Sequence, residues 1–183
     1  AVTVTINLTQ SFAPVVTGVG QCVVDALDQT PAGAPSRQCL LLPTQSIPWD
    51  NCDCDGQIAL AIQNVYGSKR FPTPADATLD WSPCGPPWQV AQVMLSVVRC
   101  VPTMNDQGIP PSCAEELAAA VTLENDRTAI RQALACCLTD LKDANTIGAW
   151  ALNPSVTVGE LGGCAGVETT FLIGMRSCLC GTT

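Results

Sequence analysis

Twelve cysteines and no histidine decide what chemistry this chain of 183 residues can carry. The thiols stand at Cys22, Cys39, Cys52, Cys54, Cys84, Cys100, Cys113, Cys136, Cys137, Cys164, Cys178 and Cys180. Metal ligation, thiol catalysis and disulfide bonding compete for them. Cys52-x-Cys54 and Cys178-x-Cys180 together offer four thiolates, but paired zinc ligands are normally about two to four residues apart. A thiol oxidoreductase places C-x-x-C at the start of a helix, and no such pair occurs. The absence of histidine removes Ser-His and Cys-His couples together with the usual proton carrier near neutral pH. All twelve are therefore read as disulfide candidates, with a metal site as the lesser alternative. Cys136 and Cys137 are adjacent in a helical segment, so their side chains point about 100° apart and address different partners.

Other chemistry-bearing patterns fail on inspection. Asn51-Cys52-Asp53-Cys54-Asp55-Gly56 matches the first half of a calcium loop, with alternate oxygen ligands and a turn-forming glycine. The position that needs a bidentate glutamate is Ile62, so the segment is read as an acidic turn. Gly159 to Gly166 is glycine-rich but leads into a strand, which marks a tight turn and not a phosphate loop. Glu115 and Glu116 suit a solvated helix start, where carboxylates complement the helix dipole. The chain holds no G-x-S-x-G, Walker or G-x-G-x-x-G motif. The expectation is a protein that is not an enzyme and that uses no cofactor and no metal.

The elements that position these residues follow from periodicity. Val2, Val4, Ile6 and Leu8 alternate with polar residues, the pattern of a strand or of an arm that adds to a neighbour's sheet. Phe12, Val15, Val16, Val19, Val23 and Leu27 recur at helical spacing, with Ser11 as the expected N-cap, Pro14 in the first turn, and Gly18 and Gly20 as weaknesses. Thr30 to Gly56 is loop around a short strand at Leu40–Leu42. Gln57–Tyr66 and Trp88–Cys100 are predicted strands, the second buried on both faces or bulged near Gln92. Between them the 67–87 stretch, with five prolines, forms a long hairpin loop. Ser112-Cys113-Ala114-Glu115 fits a capping box opening a long helix whose stripe is Leu117, Val121, Ile130, Leu134, Leu138 and Leu141, with a kink expected at Asn125-Asp126. Ile147–Leu152, Val156–Val158 and Val167–Arg176 complete the strands. The predicted fold is α+β and disulfide-rich: a mostly antiparallel sheet with two helices on one face. Residues 1–9 are expected as an N-terminal strand or arm and 10–183 as a single domain.

Composition narrows the partners. With 47% apolar and 13% charged residues the chain is not intrinsically disordered, and some apolar surface is expected to be buried against partners. A formal charge of −8 opposes binding to phosphate backbones, so nucleic acid would pass it without being held. No apolar run of about 18 residues is present and the first residues lack a signal-peptide pattern, so neither membrane insertion nor visible secretion is expected. Abundant cysteines without a signal point to oxidation late in the protein's life, an environment that virion surfaces share with secreted proteins.

Five segments carry a likeness to a known group. They are Gly18-Val19-Gly20-Gln21-Cys22-Val23-Val24-Asp25, Pro83-Cys84-Gly85-Pro86-Pro87-Trp88, Val98-Arg99-Cys100-Val101-Pro102, Ala135-Cys136-Cys137-Leu138 and Gly162-Gly163-Cys164-Ala165-Gly166. In these the chain resembles head-to-tail connection proteins of long-tailed bacteriophages infecting actinobacteria, and its element order is similar to that of tail terminators. The resemblance implies a virion protein, assembled in the host cytoplasm. It implies a homo-oligomeric ring, usually a hexamer, that ends the tail tube, contacts the tube protein and the head-side connector, and lets DNA pass through its lumen. It supplies no catalytic residue. The alternatives are another neck ring such as an adaptor or stopper, a secreted disulfide-rich binding module, and a thiol-dependent enzyme with one low-pKa cysteine.

Two local expectations complete the reading. Most cysteines are expected to be oxidised in the mature particle, with Cys100 and Cys113 as the local pair closing the Val101–Ser112 loop. The 67–87 loop is expected to contact another subunit and not its own core, through Lys69, Arg70 and Phe71.

Overall fold

A computed structural model describes residues 11–48, 56–75 and 87–176. The N-terminal arm, the 51–55 part of the acidic turn, the 76–86 part of the hairpin loop, and Cys52, Cys54, Cys84, Cys178 and Cys180 lie outside the described residues.

The valine-rich helical repeat near the start forms α1 (Ala13–Leu27). Its N-cap is Phe12 and not Ser11, yet the Ser11 Oγ accepts a hydrogen bond from the Ala13 amide at 3.3 Å. Val16, Val19, Val23 and Leu27 are fully buried. Gly20, which weakens the helix locally, sits where α1 meets the sheet. A Cβ there would lie 3.1 Å from both Leu40 Cδ2 and Leu60 Cδ1, so glycine allows the close approach.

Strands β1 (Arg37–Leu42), β2 (Gln57–Ser68) and β3 (Trp88–Cys100) precede α2 (Cys113–Asp143), which is followed by β4 (Ala149–Leu161) and β5 (Cys164–Arg176). The five-stranded sheet has the order β1-β2-β3-β5-β4. Only β1 against β2 is parallel. Both helices pack on one face, where Leu60, Val93, Leu95, Val167, Phe171 and Ile173 meet Val19, Val23, Ile130 and Leu134 in one core. On the opposite face Ile47, from the segment after β1, covers Ala59, Ala61 and Met94. Burial on both faces accounts for the near-continuous apolar run of β3.

The expected bulge is present, but on the neighbouring strand. Pairing steps from Ile62↔Val93 to Asn64↔Gln92, which leaves Gln63 of β2 as the extra residue. Gln92 Nε2 donates to Gln63 Oε1 at 3.1 Å and so fixes the irregular rung. The pieces at 147–152 and 156–158 are one edge strand, β4, interrupted by a register shift between Leu152 and Ser155. Pro154 lies in that shift, where a residue without an amide hydrogen is tolerated. Gly162 and Gly163, at φ 60° and 82°, form the two-residue turn joining Leu161 to Cys164. Two successive positive φ values match the twist of a hairpin and favour glycine.

Helix α2 differs from expectation in two ways. It runs unbroken for 31 residues, with no kink at Asn125-Asp126. Leu117 and Val121, expected in the core stripe, are 64% and 50% exposed. Burial begins only at Leu123 and continues through Ile130, Leu134 and Leu138. At about 100° per residue Leu117 and Val121 stand roughly 140° and 180° around the axis from Ile130, on the outward face, while Ala119 and Thr122 of the same turns are half-buried on the inward side. The capping box forms as predicted: the Ser112 amide donates to Glu115 Oε2 at 2.8 Å, and the Glu115 amide donates to Ser112 Oγ at 3.3 Å. At the far end Asn145 takes a left-handed φ of 57°. Its amide bonds to Lys142 O while that of Thr146 bonds to Leu141 O, the double closure that satisfies terminal carbonyls.

Candidate functional site

The buried polar centre of the molecule is an ion pair. Arg99, near the end of β3, donates from Nε to Asp126 Oδ2 at 2.8 Å and from Nη2 to Asp126 Oδ1 at 2.9 Å. Nη2 also donates to Gly33 O at 2.7 Å, in the loop between α1 and β1. Asp126 is fully buried and Arg99 is 8% exposed. The fork geometry of guanidinium on carboxylate uses both acid oxygens, so one side chain ties β3, α2 and the α1–β1 loop together. Beside it is a cleft of about 330 Å³ lined in part by Arg99, Cys100, Ala119 and Thr122. Because Asp126 already neutralises the guanidinium, this cleft presents a paired charge to any ligand.

Among the described residues only part of the cysteine set is joined. Cys22 of α1 and Cys137 of α2 form a disulfide with Cα atoms 6.7 Å apart, and Cys164 is disulfide-bonded as well. Cys136 is an exposed free thiol, so the adjacent pair does diverge, but only one member is bonded. Cys39, half-buried, and Cys113, exposed, are also free. The expected Cys100–Cys113 bridge is therefore absent. Cys113 is carried outward on the exposed first turn of α2, and the ladder sets Cys100 opposite Cys164. A disulfide-rich framework overstates the bonding among the described residues, where three thiols are free. Among the same residues no group of three or more acids and cysteines is placed to hold a metal ion, and no helix is long and apolar enough to cross a membrane.

The two ends of the sheet have opposite character. Ser68, Trp88 and Arg176 share the rung at one end. Phe71 and Trp88 pack with ring centroids 6.2 Å apart, and the Arg176 guanidinium lies 4.8 Å from the Trp88 ring centre. Glycines make room for the rings: a Cβ on Gly148 would come within 2.5 Å of Trp88, and one on Gly174 within 2.7 Å of Phe71. Phe71 therefore packs on its own sheet and stays half-buried. Its neighbours Lys69 and Arg70 are exposed. Tyr66 Oη donates to Pro72 O at 2.7 Å and closes the base of the loop, and burial pushes the Tyr66 hydroxyl pKa up.

At the other end β3 leaves the sheet and α2 begins. Met104 and Ile109 are 67% and 54% exposed, alongside Leu117 and Val121. Asn105 Oδ1 accepts from the Gln107 and Ile109 amides, both at 3.0 Å, and gives this loop a defined shape. Asp106, Glu115 and Glu116 are exposed at this end, with Arg37 at the start of β1 as the exposed cation. The Ser112 hydroxyl and amide hold the Glu115 carboxyl below the usual carboxylate range.

Sequence reasoning missed Arg99, Asp126 and the outward turn of α2. The signal for the pair was present: Asp126 falls on the same helical face as Leu123 and Ile130, and a carboxylate there requires a buried cation. No protein-family model matches the chain, and no curated protein is similar to it.

Proposed function

We propose that this protein is a non-enzymatic structural subunit that assembles into a closed ring in the neck of a bacteriophage virion, in the manner of a tail terminator. The observation that carries the reading is the exposed apolar surface of Met104, Ile109, Leu117 and Val121 on well-shaped backbone. Four of the large apolar residues exposed among the described residues fall within the single segment from Met104 to Val121, which marks it as a contact surface. The motif resemblance supplies the setting, and the charge of −8 suits a lumen through which DNA slides without adhering. Free thiols at Cys39, Cys113 and Cys136 weigh against the secreted disulfide module. Native mass spectrometry of the purified chain should give a closed oligomer with a single subunit number, and the chain should be found in purified particles. A strict monomer that is absent from particles overturns the proposal.

A further inference from the structure

The cleft beside the Arg99–Asp126 pair holds hydrogen-bonding groups that the fold does not use. Arg99 directs Nε and Nη2 to Asp126 and to Gly33 O. Its Nη1 has no acceptor among the described residues and is not shut off from solvent, so it opens on the cleft that Arg99 lines. On the α2 side the Thr122 hydroxyl gives its hydrogen to Ala118 O at 3.1 Å, so towards a ligand its oxygen acts only as an acceptor. Ala32, Ala34 and Ala119 line the same space with methyl groups. The volume of about 330 Å³ lies at the small end of the roughly 300–1,000 Å³ range of ligand sites.

We propose that this cleft is a recognition site for a peptide group, whose carbonyl accepts from Arg99 Nη1 and whose N–H donates to Thr122 Oγ1. The occupant is an uncharged segment of another protein chain with small side chains. A trans peptide unit presents its oxygen and its hydrogen on opposite sides, which suits a donor carried by β3 and an acceptor carried by α2. Charge selects the neutral ligand. Arg99 is the one charged side chain among the described residues lining the cleft, and Asp126 compensates it at 2.8 Å. An anion would leave its hydration for a site without net positive charge. A neutral carbonyl gains a hydrogen bond from a charged donor and avoids that cost. The guanidinium is already fixed by its bonds to Asp126 and Gly33, so no long side chain has to be ordered on binding. Nothing in this site depends on the ring reading.

Titration of the isotopically labelled full chain with N-acetylglycinamide, an uncharged peptide mimic, tests this by nuclear magnetic resonance. The Arg99 Nε–H and the backbone amides of Arg99 and Thr122 should shift together and saturate, while acetate and phosphate at the same concentration leave them in place. Thr122→Val removes the acceptor and keeps the shape, and should weaken binding by about threefold or more. Ala119→Leu fills the cleft from the α2 side and should abolish the saturable shifts. Both residues are half-buried, and a melting temperature equal to the parent's shows that each variant folds. If the larger leucine disturbs folding, Thr122→Val decides alone. Shifts that do not saturate, or that are the same in a folded variant as in the parent, overturn the proposal. A stronger response to acetate or phosphate also overturns it, because the guanidinium would then act as a free cation despite Asp126. None of these outcomes bears on whether the chain forms a ring.

Discussion

The two halves of α2 use similar side chains to different ends. From Leu123 to Leu138 the apolar residues are buried against the sheet and α1, and the polar residue among them, Asp126, is paired with Arg99. From Cys113 to Thr122 the helix is equally regular and better capped, yet Leu117 and Val121 face solvent. Helical regularity in the first half thus comes from local terms: the cap, the acidic first turn and the alanines. In the second half it comes from tertiary packing. The first half of α2 is stable as backbone, and the apolar residues on its outward face leave it incomplete as surface.

The largest test of this contrast is at Asp126. Removing its carboxylate with Asp126→Ala leaves the Arg99 charge buried and unpaired, and should lower unfolding free energy by about 3–5 kcal/mol. Replacing both partners, with Asp126→Leu and Arg99→Met, should recover much of the loss, since an apolar pair of similar volume avoids the desolvation cost. It would not recover all, because Gly33 O loses its donor. Urea unfolding of the three proteins measures both effects. Equal losses in the single and double variants would mean that the site depends on the Gly33 contact more than on the ion pair.

A smaller but cleaner comparison sets two leucines of one helix against each other. Leu134→Ala opens a cavity at a fully buried position and should cost about 2–5 kcal/mol. Leu117→Ala removes the same atoms from a 64% exposed position, and its effect on monomer unfolding should stay within about 0.5 kcal/mol. Assembly, in contrast, should weaken with Leu117→Ala. A large monomer effect at Leu117 would show that this half is covered by its own chain.

Periodicity located every described helix and strand, the capping box and the glycine turn, because each depends on residues close in sequence. The α2 stripe joined two faces: at about 100° per residue Leu117 and Val121 stand roughly 140° and 180° around the axis from Ile130, so they belong to the outward side. What periodicity could not give was anything set by residues remote in sequence. The cysteines show that limit. Their spacing near Ser112 placed Cys100 and Cys113 at the two ends of one loop, but whether they meet depends on the direction in which α2 departs. Asn125-Asp126 predicts a kink because both are poor residues for a helix interior. The partner of Asp126, Arg99, lies 27 residues away, beyond any local pattern. The packing of Phe71 is equally hidden from local pattern, because the seat that receives its ring, at Gly174, is in the last strand.

The smallest expected effect concerns acid and the first turn of α2. Glu115 accepts hydrogen bonds from the Ser112 hydroxyl and amide, which lower its pKa from the ordinary value of 4.5. A carboxyl whose folded pKa is depressed stabilises the folded helix start fully above its unfolded value, and loses that contribution as pH falls through the folded one. Protonation also removes a negative charge from the positive end of the helix dipole. Hydrogen exchange at the Glu115 and Glu116 amides should therefore accelerate, relative to the intrinsic rate, below the ordinary carboxylate range. Leu134 and Leu138 are held by packing, so their amides should stay protected while the first turn opens. Glu115→Gln keeps an acceptor for the Ser112 amide but does not titrate, so in this variant the acid-dependent opening of the turn should disappear. If Glu115 titrates at the ordinary value, observed through its side-chain carbon resonance, the cap is open in solution. The exposed half of α2 would then owe its helicity to something other than its own first turn, and a neighbouring subunit would be the remaining source of order.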